Sequence, residues 1–418
     1  MFAGVRRDEV NGNGHGLHKY PAKFIPHIPR WALEYADAAD KARKVVLDPF
    51  CGSGTTLVEA GLRGHASIGV DISPLAVLIS RAKTATLPPI AATPTKLLRA
   101  LLKRADTAAR GFERRLAIND PTLGLHDTWT NWFDAKPLAR LLALRSAIET
   151  TIDDKEELLR DFLLVCLSSI AKSSSHLSED QIKVRYDHLK RPADPFEAFA
   201  KFAAKALPSQ HAVGRRLADA GATTQCTCCS ATNLPLGRNS VDLIVTSPPY
   251  INAVDYTMAH KYNLLLLGLI RPEQFKDHCR DYVGMTERAV RTRDSSVLPS
   301  VGVESVDRIV RRVSRADSPV AANRAFVVAS FFLGMKKAFV ECRRVLRDGR
   351  PLVMVIGSTN RICGELIETA RLTEALGHHA GFVTDLRFYH ELANRSSMRL
   401  NRNTAGGQVK TEAILVLR

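Results

Sequence analysis

The sequence predicts an α/β protein with a doubly wound, mainly parallel sheet that is interrupted by a helical insertion. Short apolar runs alternate with helical repeats over 44–85, a long helical pattern fills 90–220, and strand-like runs return after residue 220. Alternating strands and helices are typical of parallel strands joined by helical crossovers. The chain has 418 residues, more than one compact core usually holds, so we expect a catalytic domain that carries a sizeable insertion.

Local patterns predict the first two strands and helices. The apolar run "KVVLDPF" (44–50) predicts a buried strand, and "GSGTTLVEAGLRG" (52–64) has apolar residues at helical spacing between glycines. A second strand is expected at "HASIGVDI" (65–72). The next helix, "SPLAVLISRAKTA" (73–85), opens with a serine that suits the N-cap and a proline that suits the first turn.

The rest of the chain is divided by changes of pattern near residues 90 and 220. We expect 1–90 to form the first part of the catalytic domain, 91–220 the helical insertion, and 221–418 the second part. Residues 271–330 are rich in arginine and poorly periodic. The later predicted elements are strands at "TTQCTC" (223–228) and "VDLIVT" (241–246), a helix over 331–347, a strand at "PLVMVIGS" (351–358), a helix at "GELIETARLTEALG" (364–377), and strands at "GFVTDLRFY" (381–389) and "TEAILVLR" (411–418).

The composition indicates a polyanionic partner and a cytoplasmic setting. Formal net charge is +16, so nucleic acid is the expected partner class. No segment approaches the roughly 18 apolar residues of a membrane span, and the N-terminus lacks the apolar core of a signal peptide. We therefore expect a cytoplasmic protein with reduced thiols and no membrane partner. The cluster "CTCC" (226–229) lacks a second Cys or His pair at zinc-finger spacing, so its thiols are expected to pack in the core.

A glycine-containing turn follows the first predicted strand, in the stretch "DPFCGSGTTLVEA" (48–60). Gly52 and Gly54 let the backbone approach a ligand, and the next helix presents free N–H groups to an anion. The third glycine of the nicotinamide fingerprint is missing. Asp71 closes the second strand, where a carboxylate can accept hydrogen bonds from both hydroxyls of a ribose. These features favour a nucleoside cofactor over an ordinary tight turn with a solvated Asp71.

The stretch "SVDLIVTSPPY" (240–250) ends a strand on a hydroxyl, two prolines and an aromatic ring. Ser247 Oγ and the carbonyl of Pro248, held rigid by Pro249, can accept both N–H bonds of an exocyclic nucleobase amine. Those hydrogen bonds would draw the nitrogen lone pair out of conjugation, and Tyr250 can stack on the base. A base must leave the duplex to reach such a tip, so base flipping is implied. The alternative is a structural Pro-Pro turn.

Three motifs in one order resemble the amino-methylating DNA methyltransferases, which modify cytosine N4 or adenine N6. The motifs are "DPFCGSGTT" (48–56), "GVDISPLAV" (69–77) and "VDLIVTSPPY" (241–250). Further stretches that agree are "HKYPAKFIP" (18–26), "RRVLRDGRPLVMVIGS" (343–358) and "TAGGQVKTEAILVLR" (404–418). The resemblance implies a seven-stranded Rossmann-like methyltransferase sheet, S-adenosylmethionine as cofactor, and double-stranded DNA with the target base flipped out as substrate.

The resemblance also implies roles for cofactor-binding residues. Asp48 would balance the ammonium or sulfonium of the cofactor, Asp71 would hold the ribose, and Ile72 would pack on the adenine. Phe24 would close the pocket from the N-terminal segment. The family often has an acidic residue at the end of the third strand; Ser230 stands there instead, which implies a weaker or backbone contact to adenine. The backbone facing the methionine end of the cofactor would belong to Phe50, Cys51, Gly52, Ser53 and Gly54.

The catalytic residues implied by the resemblance are Ser247, Pro248, Pro249 and Tyr250. Serine rather than Asp or Asn at the tip favours cytosine N4, with adenine N6 as the alternative. A methyltransferase for RNA or protein amides and a non-catalytic DNA-binding protein on the same fold are further alternatives. Because methyl transfer to an amine needs no metal, surface or lid positions are expected for His15, His18 and His27. A cognate restriction endonuclease would fit this class, although the sequence names none.

Several regions are candidates for contact with DNA. The insertion at 91–220 is a candidate target-recognition region. The stretch 286–316 holds seven arginines against four acidic residues and could follow phosphates, and 390–403 adds three more arginines. The two tryptophans in "HDTWTNWF" (126–133) are expected to pack between helices rather than to stack on bases.

Overall fold

A seven-stranded sheet lies at the centre of the computed structural model, which describes residues 7–21, 23–123, 129–179, 184–251, 255–284, 297–392 and 411–418. The strands in chain order are β1 (Val45–Asp48), β2 (Ala66–Asp71), β3 (Thr223–Cys228), β4 (Leu243–Thr246), β5 (Leu352–Gly357), β6 (Asn360–Ile362), β7 (Glu365–Ile367), β8 (Thr384–Glu391) and β9 (Thr411–Leu417). The sheet has the order β3-β2-β1-β4-β5-β9-β8, while β6 and β7 form a separate antiparallel hairpin.

The strand directions confirm the predicted doubly wound, mainly parallel sheet. Strands β1 to β5 run parallel, and β9 lies antiparallel between β5 and β8. The carboxyl ends of β1, β2 and β4 therefore meet at one edge, where Asp48, Asp71 and Thr246 end the three strands. Ligands of open α/β sheets bind outside this edge.

Helices flank the sheet and make up the insertion. In chain order they are α1 (Arg7–Asn11), α2 (His27–Ala39), α3 (Thr55–Leu62), α4 (Pro74–Thr84), α5 (Thr95–Ala117), α6 (Ala135–Thr151), α7 (Glu157–Ala171), α8 (Pro195–Asp219), α9 (Tyr256–Leu266), α10 (Phe275–His278), α11 (Glu304–Ser314), α12 (Ala321–Val345) and α13 (Thr369–His379).

Both faces of the sheet are buried, which explains the unbroken apolar runs of the central strands. On one face Val46, Val245 and Val353 pack with α2. On the other face Ile244 and Met354 pack with α11, α12 and α13. Every residue of β4 and β5 is buried, so these strands hold the site edge rigidly.

The helical region over 91–220 shares one hydrophobic core with helices that precede and follow it. Helices α5 to α8 pack with α4 and α9 in a single cluster of buried apolar residues. Trp129 is buried in that cluster, with its ring 5.1 Å from Phe133 and edge-on to Tyr262. The prediction that this tryptophan packs between helices is confirmed, whereas Trp132 is only partly buried.

The later helices differ from the sequence prediction. α12 begins at Ala321, ten residues before the predicted start at 331, and α11 occupies a region that was expected to be poorly periodic. The buried face of α11 is formed by Val306, Val310 and Val313. The arginines between these valines concealed the helical spacing of the apolar residues. The helix predicted over 364–377 is divided into β7 and the shorter α13.

The cysteine cluster does not pack in the core, so that expectation was wrong. β3 is an edge strand whose side chains are mostly exposed or half-buried. Cys228 is exposed, and Cys226 and Cys229 are half-buried. An edge strand has a neighbour on one side only, which the local sequence does not reveal. Among the described residues, no helix is long and apolar enough to cross a membrane.

Candidate active site

A cleft opens at the carboxyl edge of β1, β2 and β4. The structure brings ten of the predicted site residues together in its wall: Phe24, Phe50, Cys51, Gly52, Ser53, Asp71, Ile72, Ser230, Ser247 and Pro249. The other four predicted residues, Asp48, Gly54, Pro248 and Tyr250, are not in the wall. The expected cofactor loop and catalytic tip therefore face the same space.

The glycine turn has the backbone geometry that its sequence predicts. Gly54 has a φ of 71°, in the left-handed region, and stands at the N-cap of α3. A Cβ at this position would lie 3.0 Å from Cα and 2.8 Å from Oγ of Ser80 on α4. Gly52 has a φ of 48°, and a Cβ there would lie 3.3 Å from the Tyr20 ring. Only glycine satisfies both the conformation and the close approach.

Replacing Gly54 with alanine is expected to destabilise the protein by about 1–3 kcal/mol, because the new methyl meets backbone at a left-handed φ. Urea unfolding measures this change. Gly237→Ala is the matched control, since a Cβ at Gly237 meets nothing within 4 Å. Equal unfolding midpoints for the two variants and the wild type would show that the turn is not constrained as described.

The Asp71 carboxylate is fixed at the end of β2. The Gly52 N–H donates to its Oδ2 (2.9 Å), and the Ser73 N–H donates to its Oδ1 (2.9 Å). Each carboxylate oxygen has a second lone pair, so both can still accept from a ligand hydroxyl. Burial raises the pKa of Asp71 to about 6, although the backbone hydrogen bonds act in the opposite direction.

Asp48 lies beneath the loop rather than in the cleft. Its side chain is buried, and its Oδ1 accepts hydrogen bonds from Thr246 Oγ1 (2.7 Å) and from the Phe50 N–H (3.2 Å). Burial raises the pKa of Asp48 to about 7. The carboxyl thus ties the end of β1 to the end of β4, directly before the two loops that line the cleft.

The tip residues follow Thr246 at the end of β4. Ser247 and Pro249 line the cleft, and Pro248 is buried between them. The phenol of Tyr250 donates a hydrogen bond to Glu412 Oε1 (2.7 Å) on β9, and the Ser247 side chain hydrogen-bonds the phenol. Burial, followed by the nearby Glu412 carboxylate, raises the pKa of Tyr250 well above its usual value. A stacking role for Tyr250 stays a prediction.

Known proteins resemble this chain in sequence. A family model described as DNA methylase matches residues 10–81, which include the glycine turn and Asp71. The Type II methyltransferase M.MvaI of Kocuria varians is 24 % identical over 427 residues, covering 93 % of this chain and 86 % of the relative. The chain is therefore similar to the amino-methylating DNA methyltransferases, and the predicted resemblance is confirmed.

Two shorter matches each cover a small part of this chain. The Type II methyltransferase M.MjaII of Methanocaldococcus jannaschii is 44 % identical over 70 residues, which cover 16 % of this chain and 12 % of the relative. A tRNA (guanine(10)-N2)-dimethyltransferase of the same organism is 41 % identical over 68 residues, which cover 16 % of this chain and 19 % of the relative. Short segments of this chain therefore resemble parts of an enzyme named as a Type II methyltransferase and of one named for tRNA.

The cleft of this methyltransferase includes residues that the sequence prediction missed. Tyr20 and Lys23 line it from the N-terminal segment, and Tyr256 from the start of α9. Asp281 and Tyr282 line it from the region after α10. The first two lie in the "HKYPAKFIP" stretch, so position in a motif could have identified them. Asp281 and Tyr282 carry no such signal, since only the fold brings them to β2.

Buried polar contacts fix the N-terminal segment of the methyltransferase. His15 hydrogen-bonds Glu59 on α3 (2.7 Å), and His18 hydrogen-bonds Ser168 on α7 (3.0 Å). Burial lowers the pKa of His15 to about 4 and that of His18 to about 3, so both rings are neutral at pH 7. These two histidines are buried, so the expected surface position was wrong for them, while the alternative of a lid position stays a prediction. His27 is half-buried.

Two regions expected to contact DNA lie partly outside the described residues. These are 286–296 of the first arginine-rich stretch and 393–403 of the second, which include Arg395, Arg399 and Arg402. Within α11, Arg311 pairs with Glu304 and Arg312 pairs with Glu365, so these exposed arginines already have acidic partners.

Proposed function

We propose that this protein is an S-adenosylmethionine-dependent DNA methyltransferase that methylates the N4 amine of a flipped cytosine within a specific sequence. The observation that carries the proposal is that Asp71 and Ser247 line one cleft. Asp71 can accept hydrogen bonds from a ribose, and Ser247 can accept one from an amine. Because both face the same cleft, the arrangement suits methyl transfer from a nucleoside cofactor to a nucleobase amine.

The cleft residues fit the cofactor in three ways. Asp71 has lone pairs left for ribose hydroxyls, and Ile72 offers an apolar face beside it for the adenine. Ser53 Oγ is buried at the loop and has no hydrogen-bond partner among the described residues, so it can bond a polar group of the ligand. Phe24 closes the same space from the N-terminal segment, and Ser230 borders it after β3. When bound, S-adenosylmethionine supplies the methyl group on a sulfonium.

The tip residues prepare the amine that receives the methyl group. Ser247 Oγ and the Pro248 carbonyl accept the two N–H bonds, which localises the lone pair on the nitrogen. Pro248 and Pro249 lack backbone N–H donors and have fixed φ angles, so this acceptor pair needs little reorganisation. The proton released after transfer passes to solvent or to Ser247. Serine at the tip favours cytosine N4 over adenine N6.

The hydrogen bond between Tyr250 and Glu412 suggests how the tip is held in position. If this bond orients Tyr250, Tyr250→Phe and Glu412→Gln should each lower the methyl-transfer rate about tenfold, and the double variant should lose no more than either single variant. Single-turnover kinetics on DNA measures the three rates. Additive losses would mean that the two residues act independently and would contradict a shared positioning role.

The DNA-binding surface is proposed from charge and position. The net charge of +16 favours phosphate contacts, and the insertion at 91–220 shares a core with α4 and α9, which lie beside the cleft. We propose that this insertion takes part in target recognition and that a restriction endonuclease of the same specificity is a natural partner. Relatives named as Type II methyltransferases support this context.

A substrate competition in vitro tests the proposed function. Purified protein and S-adenosylmethionine carrying a labelled methyl group are incubated with unmethylated plasmid DNA, with bulk tRNA, or with both. We expect label in DNA alone, and none with Asp71→Ala. Label in tRNA alone would support the RNA alternative, which the match to a tRNA enzyme makes worth testing. Binding of S-adenosylmethionine without methyl transfer to DNA or to tRNA would point to a non-catalytic DNA-binding protein.

A further inference from the structure

We propose that one exposed face of α5 binds the phosphate backbone of double-stranded DNA, outside the cleft that receives the target base. We call this face the α5 stripe, and it consists of Lys96, Arg99, Lys103, Arg110 and Arg114. The inference rests on the proposed function, because it takes DNA as the substrate. It goes further by assigning phosphate contacts, which position a duplex without reading its sequence, to five named side chains.

The helical repeat aligns the five cations of the α5 stripe. Because an α-helix turns by about 100° per residue, their side chains fall within an arc of about 60°. At a rise of about 1.5 Å per residue, the stripe is about 27 Å long. All five residues are exposed, whereas the opposite face of the helix, with Leu101, Ala105 and Ala109, is buried in the core. The α5 stripe therefore faces solvent along most of the helix.

The protein does not neutralise the charges of the α5 stripe with its own carboxylates. Within the described part of the chain, Arg115 is the one residue of α5 that forms an ion pair, with Asp120 (2.6 Å), and Arg115 is not part of the stripe. Exposed arginines of other helices do have acidic partners. Arg308 on α11 pairs with Glu304, and Arg371 on α13 pairs with Glu368. The α5 stripe thus leaves its positive charge available to an external polyanion.

The spacing of the α5 stripe also works against the helix itself. Arg99 and Lys103 stand four residues apart, as do Arg110 and Arg114. Like charges at this spacing are neighbours on a helix and repel each other. Binding of a polyanion would relieve that repulsion, so the arrangement suits a surface for phosphates better than a surface that only keeps the protein in solution.

The helix that carries the α5 stripe belongs to the same packed unit as the cleft. Trp129 and Phe133, which follow α5, contact Tyr262 on α9, and Tyr256 at the start of α9 lines the cleft. A duplex whose target base enters the cleft extends beyond it in both directions. With one phosphate for about every 3.4 Å along each strand, the length of the stripe corresponds to about eight phosphates of one strand.

A shallow groove beside the α5 stripe carries a further cation. Its wall includes Lys103 of the stripe and the exposed Arg104, together with the hydroxyl-bearing residues Thr107 on α5 and Thr151 at the end of α6. Two neighbouring cations at one depression are a suitable site for a single phosphate group.

The salt dependence of DNA binding tests the assignment. Fluorescence anisotropy measures the affinity for an unmethylated duplex longer than the stripe at several salt concentrations, with the wild type and with Arg99→Gln/Arg110→Gln/Arg114→Gln. We expect the slope of log affinity against log salt to be about 2–3 smaller in magnitude in this variant, since each phosphate contact contributes about 0.9. At about 0.15 M salt its affinity should be at least about tenfold lower.

Two control variants separate the α5 stripe from overall charge and from structure. Lys41→Gln/Arg238→Gln/Lys337→Gln removes the same number of charges from exposed positions, and two of these precede β1 and β4 at the sheet edge opposite the cleft. This control should keep the wild-type slope. Arg99→Lys/Arg110→Lys/Arg114→Lys retains the charges and should also keep it. Urea unfolding midpoints of the glutamine stripe variant should equal or exceed that of the wild type, because repulsion within α5 is reduced.

Equal slopes for the stripe variant and the charge-matched control would overturn the proposal, as would a loss of binding that accompanies a lowered unfolding midpoint. A stripe variant that loses affinity for tRNA but not for the duplex would assign the surface to RNA instead. If the wild type binds and methylates DNA while the slopes are equal, only the α5 assignment fails. If the wild type binds no DNA, the proposed function fails with it.

Discussion

Ser247→Ala is expected to lower the methyl-transfer rate at least about a hundredfold while leaving cofactor affinity unchanged. The alanine removes one of the two acceptors that localise the amine lone pair. Losing one preorganised hydrogen bond of this kind typically lowers the catalytic rate by about 100-fold or more. Ser247 is part of the cleft wall but is not among the groups that hold Asp71 or the glycine turn. Single-turnover transfer and calorimetric cofactor binding measure the two quantities separately.

Ser240→Ala is a suitable control for this variant. Ser240 precedes β4, and its hydroxyl donates to the Gly237 carbonyl (2.8 Å) outside the cleft. Its variant should transfer methyl groups at the wild-type rate. A fully active Ser247→Ala would show that the hydroxyl does not activate the amine, and the mechanism proposed for the tip would have to be abandoned.

Asp71→Ala is expected to weaken cofactor binding by about 100-fold or more. The substitution removes both ribose acceptors and also leaves the N–H groups of Gly52 and Ser73 without their partner. The second effect disturbs the loop that lines the methionine end, so the loss should exceed that of two ribose hydrogen bonds. Calorimetric titration checks the affinity, and unchanged affinity would refute the ribose assignment.

The pH dependence of cofactor affinity should follow the ionisation of Asp71. Burial raises the pKa of Asp71 to about 6, so its protonated fraction in the free protein grows as pH falls below 6. Protonation removes the charged acceptor, and cofactor affinity should fall up to about tenfold for each further pH unit. At pH 7 and above, Asp71 is mostly ionised and should add little further pH dependence. An Asp71→Asn variant should lose this dependence, because its amide does not titrate.

Local features of the site could be predicted from the sequence because each depends on a few neighbouring residues. A glycine at a left-handed φ, an acidic residue at a strand end and a double proline after an apolar run require no knowledge of distant contacts. Gly54, Asp71 and Ser247 are placed by the structure where those rules put them. The parallel sheet could be predicted in the same way, because strand-like runs alternate with helical repeats along the sequence.

The features that were missed depend on contacts between distant segments. Tyr282 reaches the cleft only after the chain has passed through the insertion and the tip. The bond between Tyr250 and Glu412 joins residues 162 positions apart, and His18 meets Ser168 across 150. The cysteines of β3 are exposed because the fold leaves that strand at an edge. Local propensity does not encode such pairings.

Nucleoside mass spectrometry of DNA tests the central claim most directly. The DNA is taken from a methylation-free bacterial host that expresses either the wild type or Ser247→Ala, with equal soluble protein in both cultures. The account predicts N4-methylcytosine with the wild type and none with the variant. N6-methyladenine instead would keep the proposed chemistry but overturn the choice of base. An N4-methylcytosine peak of equal size in both cultures, or no modified base in either, would contradict the account.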